Sequence, residues 1–208
     1  GVELLSRNAI SLICTDHRSN FSWRSGLPTK QSKPRPVLPP PTLDRTKIYV
    51  ALILSDGDNQ ILWPQFYRRY FEHPAFGTFP LAFGIGPTAS ELQPRIAQWH
   101  FQHAKPNTEF ICDVSGAGYI NPHVYGLNRK NPDAEWQQFF SWTDRLMKRT
   151  DLQAIRTVKG DDAILERYAK ALPDCHSIFA DMGRYSGRSG IKDLTYRLDD
   201  GTPVFRSV

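Results

Sequence analysis

The run Lys47–Leu54 (KIYVALIL) constrains the fold more than any other segment. Aliphatic and β-branched residues follow one another there without polar alternation. That is the pattern of a strand covered on both faces, and such strands belong to parallel sheets flanked by helices. The run stops abruptly at Ser55-Asp56-Gly57-Asp58-Asn59. Similar runs recur at Phe79–Ile85, Glu109–Val114, Leu152–Val158, Ser177–Ala180 and Pro203–Val208, with Ala9–Cys14 as an early member. Helical patterns fill the gaps. Thr88 and Glu91 have capping-box spacing, with Leu92, Ile96 and Trp99 behind them. Asp133 is placed to cap a helix whose stripe is Trp136, Phe139, Phe140, Thr143, Leu146 and Met147. Asp161 or Asp162 opens another, with Ile164, Leu165, Tyr168, Ala169 and Leu172 inward. Strand-then-helix alternation predicts an α/β fold. A TIM-like (β/α) barrel, complete or truncated, fits this rhythm best, and an open doubly wound parallel sheet is the alternative. No Gly-rich loop of Rossmann or P-loop spacing is present.

With 208 residues the chain is sized for one domain. Residues 1–46 are expected to add an N-terminal strand and a proline-rich loop (Pro28, Pro34, Pro36 and Pro39 to Pro41) to the same domain as the barrel-like catalytic part, 47–208. The last residues, Phe205 to Val208, read as a strand, so the chain is expected to be a piece of a longer protein, with other domains as partners. No apolar run approaches the ~20 residues that span a bilayer, so no membrane partner is predicted. The net charge of +5 is largely interleaved with acids, and no zinc finger, RNP-type motif or basic helix points to nucleic acid. The three cysteines, Cys14, Cys112 and Cys175, lack metal-site or disulfide spacing. No metal site or cofactor is assigned, although Asp56 and Asp58 could hold a divalent cation.

In either parallel architecture, ligands bind at the carboxyl ends of the strands. The residues found there are Asp16 and His17; Asp56, Asp58 and Asn59; Asp113 and Ser115; Lys159, Asp161 and Asp162; and Asp181 and Arg184. An aspartate after a strand often only caps the next helix, which is the expected role of Asp161 or Asp162. Asp56 and Asp58 differ, because Gly57 permits a turn between them and no capping box follows. Carboxylates held close perturb each other's ionisation, as acid/base chemistry requires. Tyr119, in a Gly-rich loop just past a strand, and Trp63 are placed to offer aromatic faces to a sugar ring. Trp99, Trp136 and Trp142 fall in helices and read as core.

Gly116-Ala117-Gly118-Tyr119-Ile120-Asn121-Pro122 resembles the signature of the GxGYxYP putative glycoside hydrolase family. Ser55-Asp56-Gly57-Asp58-Asn59 after an apolar strand resembles a segment of that family's C-terminal domain, and the likeness covers roughly residues 47–126. Gly116, Gly118, Tyr119 and Pro122 match; Asn121 stands where the pattern has tyrosine. The resemblance implies hydrolysis of an oligo- or polysaccharide by paired carboxylates, one protonating the leaving oxygen and one acting as base or nucleophile. Asp56 or Asp58 is the candidate for one role and Asp113 for the other. Asn59, Trp63, Ser115, Gly116, Gly118, Tyr119, Asn121, Asp16, Asp181 and Arg184 are the expected substrate-binding residues. It also implies a secreted or periplasmic protein with a carbohydrate partner. Two other readings stay open: a metal-dependent hydrolase using Asp56, Asp58 and Asn59, and a non-catalytic carbohydrate-binding domain.

Overall fold

The computed structural model describes residues 1–15, 20–29, 42, 44, 46–56, 60–158, 160–181 and 195–206. Seven strands form one sheet: β1 (Ile53–Leu54), β2 (Leu81–Ile85), β3 (Thr108–Cys112), β4 (Ala154–Val158), β5 (Ser177–Asp181), β6 (Thr195–Arg197) and β7 (Pro203–Arg206). Their spatial order is β1-β2-β3-β4-β5-β7-β6, parallel throughout except that β6 runs antiparallel to β7. The helices are α1 (Val2–Arg7), α2 (Phe21–Ser25), α3 (Arg68–Phe71), α4 (Ala89–Leu92), α5 (Pro94–His103), α6 (Pro132–Thr150) and α7 (Asp162–Ala171).

This sheet is open. It does not close into a barrel: among the described residues β1 pairs only with β2, and antiparallel β6 borders the other side. Nor does it have the order reversal of a doubly wound sheet. β1 to β5 lie in sequence order, so successive right-handed crossovers carry their helices to the same face. The core agrees. Phe83, Ile85, Phe110, Cys112, Ile155, Ile178, Ala180 and Val204 pack in one cluster with helical residues such as Phe71, Ala97, Phe101, Phe139 and Leu165. The alternate strand positions (Ala82, Glu109, Ile111, Ala154, Ser177 and Phe179) line a hollow on the opposite face, which these crossover helices leave bare. Among the described residues that opposite face is helix-free.

Several elements follow the expected chemistry. α6 buries the anticipated stripe of Trp136, Phe139, Phe140, Thr143, Leu146 and Met147. Each large apolar side chain sealed there contributes roughly 1.5–3 kcal/mol. Its cap is Asn131, not Asp133: the Asn131 side chain accepts from Ala134 N at 3.2 Å, and Pro132 takes the first position, where no amide is needed. Asp161 caps α7 by accepting from Ile164 N at 3.0 Å. Thr88 does not form the expected capping box. Its hydroxyl instead receives the Gln60 amide at 3.1 Å, and the helix breaks at Gln93, before Pro94.

Two strand expectations are corrected. Ala9–Cys14 forms no strand: it makes isolated bridges at Leu12, to Tyr119, and at Cys14. Of Lys47–Leu54 only Ile53 and Leu54 join the ladder, and Ile48, Tyr49, Val50 and Leu52 are exposed. The reason is position: an apolar strand reads as covered on both faces only if neighbours exist to cover it, and among the described residues this one is the sheet's edge.

Candidate functional site

Asp113, immediately after β3, is 1% exposed. Strand alternation puts it on the helix-free face near the carboxyl edge. Its Oδ1 accepts from Arg156 Nε, contributed by the middle of β4, at 2.5 Å. From the other side β2 presents Gly84, where a Cβ would overlap the Asp113 carboxylate. A bare backbone at that point makes the space the carboxylate occupies. A carboxylate out of water needs a compensating charge, and Arg156 supplies it. Sequence reasoning passes over Arg156, yet a signal exists: it is the one charged residue in the strand Ala154-Ile155-Arg156-Thr157-Val158.

Asp56 follows β1 on the same edge. It is exposed and adopts a left-handed φ of 77°. Just before it, the Ser55 carbonyl accepts from the buried Tyr67 hydroxyl at 2.8 Å, and that hydroxyl also lies 3.3 Å from the Gly84 carbonyl. Tyr67 therefore ties the end of β1 to β2 beside the Asp113 carboxylate. With β2 between their strands, Asp56 and Asp113 stand on the order of 10 Å apart by strand spacing. Gln60 is fully buried. Its backbone N donates to Cys14 O at 2.8 Å, and Gln93 Nε2 donates to its carbonyl at 2.9 Å. These buried amides hold the chain at Gln60 to the N-terminal segment and to Gln93, a function that two glutamines in a sequence do not advertise. Asp58, Asn59, Asp16 and Arg184 lie outside the described residues. Asp181 is the last residue of β5, in register with Val158.

The glycine–tyrosine loop is built for rigidity. Ser115 (φ 66°) is fully buried. Its N donates to Arg156 O at 2.8 Å, its carbonyl accepts from Tyr168 Oη at 2.9 Å, and its hydroxyl lies 3.4 Å from Ile120 O. Burial pushes the Tyr168 hydroxyl well above its ordinary pKa, so it stays a donor. Gly116 has φ 123°, open to glycine and strained for other residues, and a Cβ there would run into Thr143. Thr143 Oγ1 accepts from Ala117 N at 3.0 Å while donating to Phe139 O at 2.9 Å. Gly118 lies against Ser11, and the Tyr119 backbone exchanges hydrogen bonds of 2.8 and 2.9 Å with Leu12. Asn121 N donates to Ser6 Oγ at 2.8 Å. Of the loop residues expected to meet substrate, Tyr119 and Asn121 keep partial exposure, while Ser115, Gly116 and Gly118 are buried.

Trp63 is a correction. It is 1% exposed, with its ring edge-on to His100 at 5.4 Å, so it has no free face for a sugar. The cause is the π-helical turn Trp63–Tyr67, which points both aromatics into the core. His100, within the same aromatic cluster, has its pKa lowered to about 4, chiefly by burial. Among the described residues, no three His, Cys, Asp or Glu side chains gather as metal ligands do. No helix among them is long and apolar enough to cross a membrane.

The model of the GxGYxYP putative glycoside hydrolase C-terminal domain matches residues 46–207. The chain belongs to this family. The GxGYxYP signature thus sits on the loop that bridges Asp113, Arg156 and the N-terminal segment. A crystal structure of a "putative hydrolase" from Bacteroides thetaiotaomicron VPI-5482 shares the fold, with a TM-score of 0.84 at 24% identity. The match covers 98% of this chain and 39% of that one. No curated protein matches the chain.

Proposed function

We propose that this GxGYxYP domain is the carboxylate-bearing part of a glycoside hydrolase acting on an oligo- or polysaccharide outside the cytoplasm. The observation that carries the reading is the placement of Asp113 and Asp56 on one carboxyl edge of a parallel sheet, the edge where such sheets bind ligands. Asp113, with its negative charge balanced by Arg156, is assigned as base or nucleophile. The leaving-group acid is then Asp56, which is exposed, or Asp58 two residues on. Tyr119 and Asn121, the partly exposed residues of the signature loop, are assigned to hold the sugar.

The test is hydrolysis of an oligosaccharide panel by the protein and its Asp56→Asn, Asp58→Asn and Asp113→Asn variants, each checked for native circular dichroism. Asp113→Asn and one of the other two should each lower kcat by about 10²–10⁴-fold with KM little changed. Full turnover in a folded Asp113→Asn variant would refute the assignment. The complete burial of Asp113 favours one second reading, in which the ion pair is only a strut and the domain binds carbohydrate without cleaving it. Sugar binding with no turnover by the unmodified protein would select that reading.

A further inference from the structure

The helix-free face has two halves of different character. Toward the carboxyl ends lie Gly84, Asp113 and Arg156. Toward the amino ends there is an apolar hollow of about 380 Å³, lined by Leu52, Ala82, Ile111, Ala154 and Phe179 among others. A mostly parallel sheet is ordinarily covered on both faces. Here the crossover helices cover one.

The hollow runs into an open edge. Ile48, Tyr49, Val50 and Leu52 are 93, 55, 76 and 51% exposed. The strand they lead into pairs with β2 alone, so among the described residues its outer side has no neighbour. Free edges are normally guarded by lysine, proline or a bulge, because a bare apolar edge recruits another strand. The opposite side of the sheet is managed differently, with β6 turned antiparallel onto β7. The β1 edge carries four large apolar side chains in its place, and patches of that kind mark interaction surfaces. The protein of matched fold supplies the candidate occupant, since this fold makes up only 39% of the Bacteroides chain.

We propose that the outer edge of β1 and the adjoining hollow seat a further domain of the same polypeptide. That domain lays an extended strand along Ile48–Leu54 and an aliphatic surface over Ala82, Ile111, Ala154 and Phe179. The bond pattern is strand addition, with main-chain hydrogen bonds for affinity and the alternate side chains for register. Docking at the amino half of the face leaves the Asp56–Asp113 edge open to substrate, so the covered half and the reacting half of the sheet are separate.

The experiment is thiol labelling of Val50→Cys in the 208-residue chain and in the full-length polypeptide, with Leu127→Cys, which is 56% exposed and remote from this edge, as reference. The expected result is that labelling at position 50 slows at least 100-fold in the full-length polypeptide while position 127 reacts alike in both. Equal labelling at position 50 in the two would overturn the proposal. So would slow labelling in the 208-residue chain together with a concentration-dependent mass in sedimentation, which would give the surface to a second copy. Should the 208-residue chain fail to fold alone, hydrogen exchange of the full-length polypeptide decides. Protected amides at Ile48–Leu52 support the docking, and exchange at unfolded-chain rates refutes it.

Discussion

Replacing Asp113 with alanine should damage the fold measurably, and the size of the loss follows from its surroundings. The carboxylate is enclosed, and its partner Arg156 has a side chain only 14% exposed. Removing one member of a buried pair leaves the other charged and out of water, at a cost of about 3–5 kcal/mol. Arg156 retains a little contact with solvent and other interactions besides this pair, so the lower end applies, about 3 kcal/mol. For a chain of this size each kcal/mol shifts the melting temperature by roughly 2–4 °C, so Asp113→Ala should melt about 6–12 °C below the unmodified protein. Thermal unfolding by circular dichroism reads this directly, and urea titration gives the free energy. The double variant Asp113→Ala/Arg156→Met completes a cycle. If the two groups are coupled, it should lose less than the sum of the single losses, by about 0.5–3 kcal/mol. A single-variant loss below about 1 kcal/mol, within the range of an exposed ion pair, together with additive behaviour in the cycle would refute the claim that the pair is buried and coupled.

Gly84→Ala should mimic that loss from the neighbouring strand. The new methyl overlaps the Asp113 carboxylate, so the stability loss should shrink sharply when Asp113→Ala is already present, as melting of the two backgrounds shows. Thr143→Val removes the acceptor of Ala117 N while keeping the shape, and should lower stability by about 1–3 kcal/mol in urea titration. His100 sets an acid limit. Its folded pKa of about 4 lies below the ordinary 6.5, so the unfolded chain binds the proton more readily in the interval between. Its contribution is nil above about pH 6.5, and stability falls as the pH drops toward 4, by up to about 3 kcal/mol. His100→Phe should flatten that part of the stability–pH curve, and an unchanged slope would show that the imidazole is not responsible.

Much of the fold was legible because local chemistry and burial agree. Five strands and two long helices lie where periodicity placed them, since α6 and α7 hide the same stripes that the 3.6-residue repeat marks. The failures share a cause. Lys47–Leu54 looks like a doubly covered strand because hydrophobicity reports what a residue would bury, and only the sheet order shows that nothing described lies on its outer side. Thr88 has cap spacing, but its hydroxyl is claimed by Gln60, a residue 28 positions earlier. Trp63 appeared to be a sugar platform until the π-helical turn placed it in the core.

The sequence by itself determined the alternation of strand and helix, the family, and which acids directly follow the apolar runs, because these follow from side-chain period and from short contiguous motifs. Tertiary structure decided that the sheet stays open, that Asp113 is paired with Arg156 under a bare Gly84, and that the signature glycines serve a turn braced by Thr143. Each of those depends on which strands are neighbours in space. Residues 84, 113 and 156 are far apart along the chain and meet only because parallel pairing brings β2, β3 and β4 side by side.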